Sequence, residues 1–387
     1  MRQRNRGFTK IELAVVIACL LILTWIVIPS FNHRPPHRRS QCTNNLKNLA
    51  LATIQLDATH GHLPGFVNDF GYFPGGADPS DADNFGGSVP SHRKIGPWGV
   101  ALLPWLDALP TYEHWTEDRY PIMHNGNGDL DASEGVAGIG FHPLSAPRLA
   151  IFICPSASTN ADGLGHNHYV ANNGMCHRGP EGANFWAIQR GNETNPMDFA
   201  GSMKRANGAF NNQVNATDHA GNQVPAGPKV KLSDFRDGQS HTLLFSENLQ
   251  ALPWHRAGFV DADRFVASDA SQTFLYDPTS RYVHGVVWHF EDKHHAANAP
   301  DVNPLHRING TYRGIELTRV SMSLANAHHL ARPSSAHVGG VNAAMADGAT
   351  RFISDSIDYR VYQALLTLHG KASDVPEPKF VVTDEHF

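Results

Sequence analysis

The apolar positions in the first sixty residues fall into two unlike patterns. Leu13 to Ile28 is a continuous run of sixteen uncharged residues, extended backwards by Ile11 and Phe8 and forwards by Phe31. At about 1.5 Å rise per residue, a helix from Phe8 to Phe31 covers about 35 Å, enough for a hydrocarbon core of about 30 Å. Lipid leaves backbone polar groups no outside partner, so the run predicts a transmembrane helix over 8–32. Residues 40–59 differ. Leu46, Leu49, Ala50, Thr53 and Leu56 or Asp57 recur at spacings of three and four, the mark of an amphipathic helix with one buried face. His60-Gly61-His62-Leu63-Pro64-Gly65 ends it. Between the two, Pro35-Pro36 breaks or kinks a helix, so 33–39 is expected to be a hinge.

The body, 60–373, has weaker periodicity. Residues 65–95 are rich in Gly, Asp, Pro and Ser and predict a long surface loop, as do 124–148. Trp98 to Leu109 is apolar and expected to be buried. Ala150 to Pro155 predicts a short buried strand, and His168–Ala171 and Asn207–Phe210 further short strands. Asp237-Gly238 and Asp347-Gly348 each lie between β-prone runs, a strong turn signal because glycine takes positive φ freely. Residues 358–369 predict a short helix and 374–387 a loose tail. The expected fold is α+β: a long N-terminal helix, transmembrane then amphipathic, packed on an antiparallel β-sheet body with large loop insertions.

Composition changes this picture little. Of 387 residues, 41% are hydrophobic and 17% charged, which suits a globular body rather than a disordered one. The net charge of −5 would become −8 without residues 1–7 and their three arginines, which argues against nucleic-acid binding. Cys19 lies in the apolar run. Cys42, Cys154 and Cys176 would allow three pairings in an oxidising compartment, or stay reduced. Cys42–Cys154 is favoured because it would tie the stalk to the body.

The start of the chain carries the sharpest signal. A basic leader ends at Gly7, and no Ala-x-Ala-like site follows the apolar run, so a cleaved secretory signal fits poorly. A plain anchor leaves Glu12 unexplained, because a carboxylate in a membrane helix costs on the order of 2–4 kcal/mol without a partner. Gly7-Phe8-Thr9-x-Ile11-Glu12-Leu13 resembles the processing site of type IV pilins and pseudopilins. Lys10 departs from the leucine or valine usual there. The resemblance implies cleavage by a prepilin peptidase between Gly7 and Phe8, N-methylation of Phe8, and a role for Glu12 in registering one subunit against another. It also implies a single-pass protein of the cytoplasmic (inner) membrane, with its N-terminus cytoplasmic and its body periplasmic.

A second resemblance covers the rest. Nine residues separate His337 from Asp347-Gly348. This spacing is similar to the H-x9-DG element of the DUF1559 family, whose members carry prepilin-type leaders and are expanded in planctomycetes. The runs Ser40-Gln41-Cys42-x-Asn44-Asn45-Leu46-Lys47, Phe152-x-Cys154-Pro155-Ser156 and Asp237-Gly238-x-Ser240-x-Thr242-Leu243-Leu244 are similar to its other blocks. The resemblance implies a pilin-like, secretion- or pilus-associated protein. His337 is expected to brace the hairpin ending at Asp347-Gly348.

Candidate chemistry is thin. There are 24 histidines, with close pairs at His60/His62, His166/His168, His294/His295 and His328/His329, but none sits in a His-Glu-x-x-His or Cys-x-x-Cys pattern. Asn125, Asn127, Asp129, Asp131 and Glu134 alternate like calcium ligands, yet the sixth position of that loop is Leu130 where an EF-hand needs glycine. Calcium is therefore a weak candidate, and no other cofactor is expected. Gly-x-Ser-x-Gly is absent, and no enzyme is expected. The expected role is a non-enzymatic component of a type II secretion or type IV pilus-like system, with prepilin peptidase, other pilin-like subunits and the membrane as partners. The alternative is a membrane-tethered extracytoplasmic binding module, for example for polysaccharide, that uses the pilin export route. A tethered hydrolase is a third, weaker reading.

Overall fold

The computed structural model describes residues 9–31, 34–80, 89–123, 141–157, 165–177, 186–190, 193–217, 223–258, 280–290, 302–311, 315–317 and 320–386. For 22–31, 34–37, 186–190 and 193–197 the backbone alone is described. Gly7, Phe8, His294-His295 and the calcium candidates Asn125, Asn127, Asp129, Asp131 and Glu134 lie outside the described residues.

In chain order come α1 (Lys10–Phe31), α2 (Arg34–His60), β1 (Val67–Phe73), β2 (His92–Pro97), α3 (Trp98–Leu102) and α4 (Leu109–Thr116). Then follow β3 (Tyr169–Met175), β4 (Trp186–Arg190), β5 (Glu193–Met197), α5 (Phe199–Ser202), β6 (Ala216–Thr217), β7 (Gln223–Val224) and β8 (Leu243–Glu247). The last are α6 (Ser280–Val283), β9 (Gly285–Trp288), α7 (Ala327–Leu330), β10 (Gly340–Met345), β11 (Thr350–Ser354) and α8 (Tyr359–Leu366).

α1 begins with a capping box. The Thr9 backbone N–H donates to Glu12 Oε2 at 2.8 Å, and the Glu12 N–H donates to Thr9 Oγ1 at 3.3 Å. The apolar side chains that follow stand in the open, with Ile11 77%, Leu13 56% and Leu21 62% exposed. Among the described residues no helix is long and apolar enough to cross a membrane. The expected span over 8–32 runs past them, since side chains of α1 are described only to Leu21.

α2 begins at Arg34, earlier than the expected Ser40. Pro35 and Pro36 sit in its first turn, where the missing N–H groups have no intrahelical acceptor to lose. The prolines therefore start this helix. Its buried stripe is Cys42, Asn45, Leu46, Leu49, Ala50, Thr53 and Leu56, the face the spacing predicted.

The core is a five-stranded sheet in the order β11-β10-β8-β3-β9. α2 covers one face, where Leu46 and Leu49 pack with Tyr169, Leu244, Phe245 and Ala344. α8 covers the other, where Tyr362 and Leu365 pack with Val170, Leu243, Val341, Ala343 and Met345. β10 thus alternates strictly, Val341, Ala343 and Met345 towards α8 and Ala344 towards α2. A register shift between Ala344 and Met345 leaves Leu244 unpaired, so that Leu244 and Phe245 both join the α2 side.

Several expectations are corrected. The sheet is mixed, because β9 pairs parallel to β3. Residues 65–95 are not one loop: β1 and β2 pair antiparallel from Val67↔Pro97 to Phe73↔His92. Their polar residues hid them, for His92 and Lys94 are fully buried, and Lys94 Nζ donates to the carbonyls of His114 and Glu117. Ala150–Phe152 is a 3-10 turn closed by Ile153 N–H on Ala150 O, not a strand. Asn207–Phe210 forms no strand; Ala209 and Phe210 both donate to Asn172 O. Asp237-Gly238 turns no hairpin, since Leu232–Asp234 before it is a 3-10 turn and Asp237 Oδ2 accepts from the distant Gly370 N–H at 2.6 Å. Leu109 is 53% exposed although Trp98, Val100, Leu102 and Leu103 are buried as expected. The end of the chain is not loose: Asp374 takes Lys204 Nζ at 2.7 Å and Asn207 Nδ2 at 2.9 Å, and Val375 and Val382 are buried.

Candidate functional site

Four chain segments that are far apart in sequence meet where α2 crosses the sheet. Cys42 is the first residue of the buried α2 stripe and is fully buried. Cys154 follows the Ala150–Phe152 turn, held by its own N–H on His168 Nδ1 at 3.2 Å. The two form a disulfide with Cα atoms 4.9 Å apart, closing a sequence separation of 112. Next to Cys42, the Asn45 amide donates to the carbonyls of Ala150 at 3.2 Å and Ile153 at 3.0 Å. Helix and turn are thus joined by hydrogen bonds as well as by sulfur.

Glu247 ends β8 with a side chain only 2% exposed. Its carboxylate is held by Asn342 of β10: the backbone N–H reaches Oε2 at 2.8 Å, and Nδ2 reaches Oε1 at 3.1 Å and Oε2 at 3.2 Å. His337 stands in the turn before β10, its N–H donating to Ser335 Oγ at 3.1 Å. Its Nε2 lies 3.1 Å from Glu247 Oε1 and 3.9 Å from Cys154 Sγ. Cys154 Sγ is 3.5 Å from Glu247 Oε1. One ligand-type atom from each of Cys42, Cys154, Glu247 and His337 lies within 4.8 Å of all the others. Arg39 Nε donates to Asn342 Oδ1 at 3.4 Å, with its guanidinium 3.9 Å over the Phe352 ring. Tyr169 lies beside the cluster, bonded to Asn45, and burial pushes its hydroxyl well above the ordinary tyrosine range.

The H-x9-DG element therefore brackets a strand. His337 sits before the start of β10 and joins the carboxylate. Asp347-Gly348 sits past its end and makes the turn into β11, with Gly348 at φ +83° and Asp347 Oδ1 accepting Ala349 N–H at 2.8 Å. Asp347 and Gly348 do not reach the cluster; Gly348 instead backs onto Leu51 of α2. Glu247 and Asn342 carried no functional expectation. The available signal was one glutamate closing the apolar run Leu243-Leu244-Phe245, which marks a buried carboxylate that needs a partner.

A second gathering involves histidines. The rings of His289 and His306 stack at 3.4 Å, and His306 Nε2 lies 2.7 Å from His329 Nδ1. Burial first, and then His329 and His328, push His306 down to about 2. Only His328-His329 was visible as a pair in sequence. Of the tryptophans with described side chains, Trp98, Trp115, Trp254 and Trp288 are buried, each with its indole N–H on a backbone carbonyl, and Trp105 is half-buried against the His60 ring.

A helix tied by a disulfide to an α+β sheet body, with a buried carboxylate–imidazole pair at the joint, defines a helix-mounted α+β domain. The chain belongs to the DUF1559 family, whose model, described as a protein of unknown function, matches residues 32–360. It is also similar to the type IV major pilin protein PilA of Myxococcus xanthus (strain DK1622), at 38% identity over 72 residues, or 18% of this chain and 33% of that protein. The chain thus spans about a third of that relative's length. No solved structure matches.

Proposed function

We propose that this chain is a non-enzymatic, membrane-anchored pseudopilin-like subunit. In this reading a prepilin peptidase cuts between Gly7 and Phe8 and Phe8 is methylated. α1 lies in the cytoplasmic membrane, and the body stands outside it among other pilin-like subunits of a secretion or pilus-like system. The observation that carries the reading is the helix α1: a capped start at Thr9, then apolar side chains that this chain leaves uncovered. Such a face needs lipid or neighbouring helices. The PilA likeness supports the same class. A Gly7→Ile variant is expected to keep its leader, read as an unchanged full-length mass; normal maturation of that variant would sink the proposal.

Glu12 has two candidate roles, and one substitution separates them. Glutamine at the same position can still cap Thr9 but carries no charge to pair with a neighbour. If Glu12 registers subunits, Glu12→Gln loses disulfide-crosslinked oligomers formed through Val16→Cys. If capping is its whole role, the ladder persists.

Pro35-Pro36 in the first turn of α2 favours one further reading, a tethered binding module. Monomers only in the same crosslinking assay would select it.

A further inference from the structure

We infer that Cys42, Cys154, Glu247 and His337 form a redox-gated metal site: closed as a disulfide when oxidised, and a buried four-ligand site for a thiophilic divalent cation such as zinc when reduced. The donor set of two sulfurs, one imidazole and one carboxylate is the kind that tetrahedral zinc takes. The geometry fits it without large movement. Around a tetrahedral zinc with bonds of about 2.3 Å to sulfur and about 2.0 Å to nitrogen and oxygen, the ligand-to-ligand edges are about 3.5 Å for sulfur–nitrogen and sulfur–oxygen and about 3.3 Å for nitrogen–oxygen. The corresponding separations here are 3.9 Å from Cys154 Sγ to His337 Nε2, 3.5 Å from Cys154 Sγ to Glu247 Oε1 and 3.1 Å from His337 Nε2 to Glu247 Oε1. Three of the four ligands therefore already stand close to the corners of one coordination shell. Cys42 Sγ, within 4.8 Å of the other three ligand atoms, must withdraw from bonding distance to about 3.8 Å from Cys154 Sγ.

The surroundings resemble those of a ligand shell rather than a bare ion pair. Asn342 fixes both oxygens of Glu247, and Arg39 fixes Asn342 in turn. Partners of this kind set ligand direction and basicity at metal centres. A tethering disulfide alone needs neither a carboxylate nor an imidazole against its sulfur.

A dithiol or phosphine reductant supplies two electrons that break the Cys42–Cys154 bond, and two protons leave both sulfurs as thiols. The cation then displaces those two protons, with no further change of oxidation state. Glu247 binds as carboxylate, and His337 binds through the Nε2 lone pair, its proton on Nδ1.

The test uses the full chain in detergent micelles, in a Cys19→Ser background. The protein is reduced in denaturant and refolded anaerobically with a phosphine present, with and without cobalt(II), then titrated with zinc(II). Expected are about one cobalt per chain, a thiolate-to-cobalt charge-transfer band with intense tetrahedral visible bands, and displacement of both by zinc. Surface histidines cannot produce the thiolate band. His337→Ala and Glu247→Gln should change the visible bands and weaken binding, and Asn342→Ala should weaken it about 10–100-fold. Cys176→Ala should leave the spectrum unchanged. Each variant is first checked for fold in its oxidised, disulfide-closed form. Absence of the thiolate band in refolded protein, failure to refold even with metal, or an unaltered spectrum and affinity in both ligand variants would overturn the inference.

Discussion

Replacing Cys42 and Cys154 together by alanine tests how the stalk helix is joined to the body. The bridge closes a sequence separation of 112. Chain-entropy reasoning gives a loop of that length about 5 kcal/mol of stabilisation, acting mainly by restricting the unfolded chain. In the folded state, the α2 side of the joint is also held by Leu46, Leu49 and Leu56, all buried. At about 1.5–3 kcal/mol each, those three contribute roughly 5–9 kcal/mol of burial. Packing alone is therefore large enough to keep α2 docked. The double variant should fold with α2 in place but melt about 7 °C lower, taking about 1.4 °C per kcal/mol from an unfolding entropy of about 2.1 cal/mol/K per residue over a body of this size. Fluorescence of the buried tryptophans follows the melt, and amide exchange reports α2 separately from the sheet. A melting point lowered by less than about 3 °C would refute the entropic argument. Selective loss of protection in α2 at unchanged protection of β8 and β10 would refute the packing argument instead.

Other outcomes follow from the same structure. Burial is the largest cause holding His92 at about 4, His168 and His284 at about 3 and His306 at about 2, against 6.5 for a free histidine. The unfolded chain therefore takes up protons first: stability is full above pH 6.5 and falls below it by about 1.4 kcal/mol per pH unit per histidine, on the order of 5 for the four together, until each folded value is reached. Melting points between pH 7 and 5 check this, and a flat profile would contradict it. Asn342→Ala removes the side-chain donor to the buried Glu247 while leaving the backbone one, and should cost about 1.5–3 kcal/mol by denaturant titration; a loss under about 0.5 would mean the carboxylate finds another partner. Gly348→Ala places a Cβ at φ +83° and 3.3 Å from Leu51 Cδ2, so a loss of about 1–3 kcal/mol is expected, and an unchanged midpoint would show that the turn relaxes freely.

Much of the frame was legible before any coordinates. The α2 stripe was readable because a 3.6-residue period survives in Leu46, Leu49, Ala50 and Leu56. The β10–β11 hairpin was readable because alternation flanks an Asp-Gly turn whose glycine does sit at positive φ. The β1–β2 hairpin was not, because fully buried His92 and Lys94 look like surface residues until the carbonyls that receive them are seen. The Ala150–Phe152 turn resembled a strand because a short apolar run carries no period to separate the two.

What the sequence determines by itself is local: the apolar run of α1, its capped start, the amphipathic face of α2 and the turn at Asp347-Gly348. Each depends on neighbours within a few residues, through hydrogen bonds or periodicity that the chain order displays directly. What only the tertiary structure decides is the meeting of Cys42, Cys154, Glu247 and His337 around Asn342. Those residues come from a helix, a turn, a strand end and a loop, and their partners lie some 90 to 183 positions away. A buried carboxylate announces in sequence that it must have a partner; which imidazole, amide and sulfur surround it is set by the packing of α2 across the sheet.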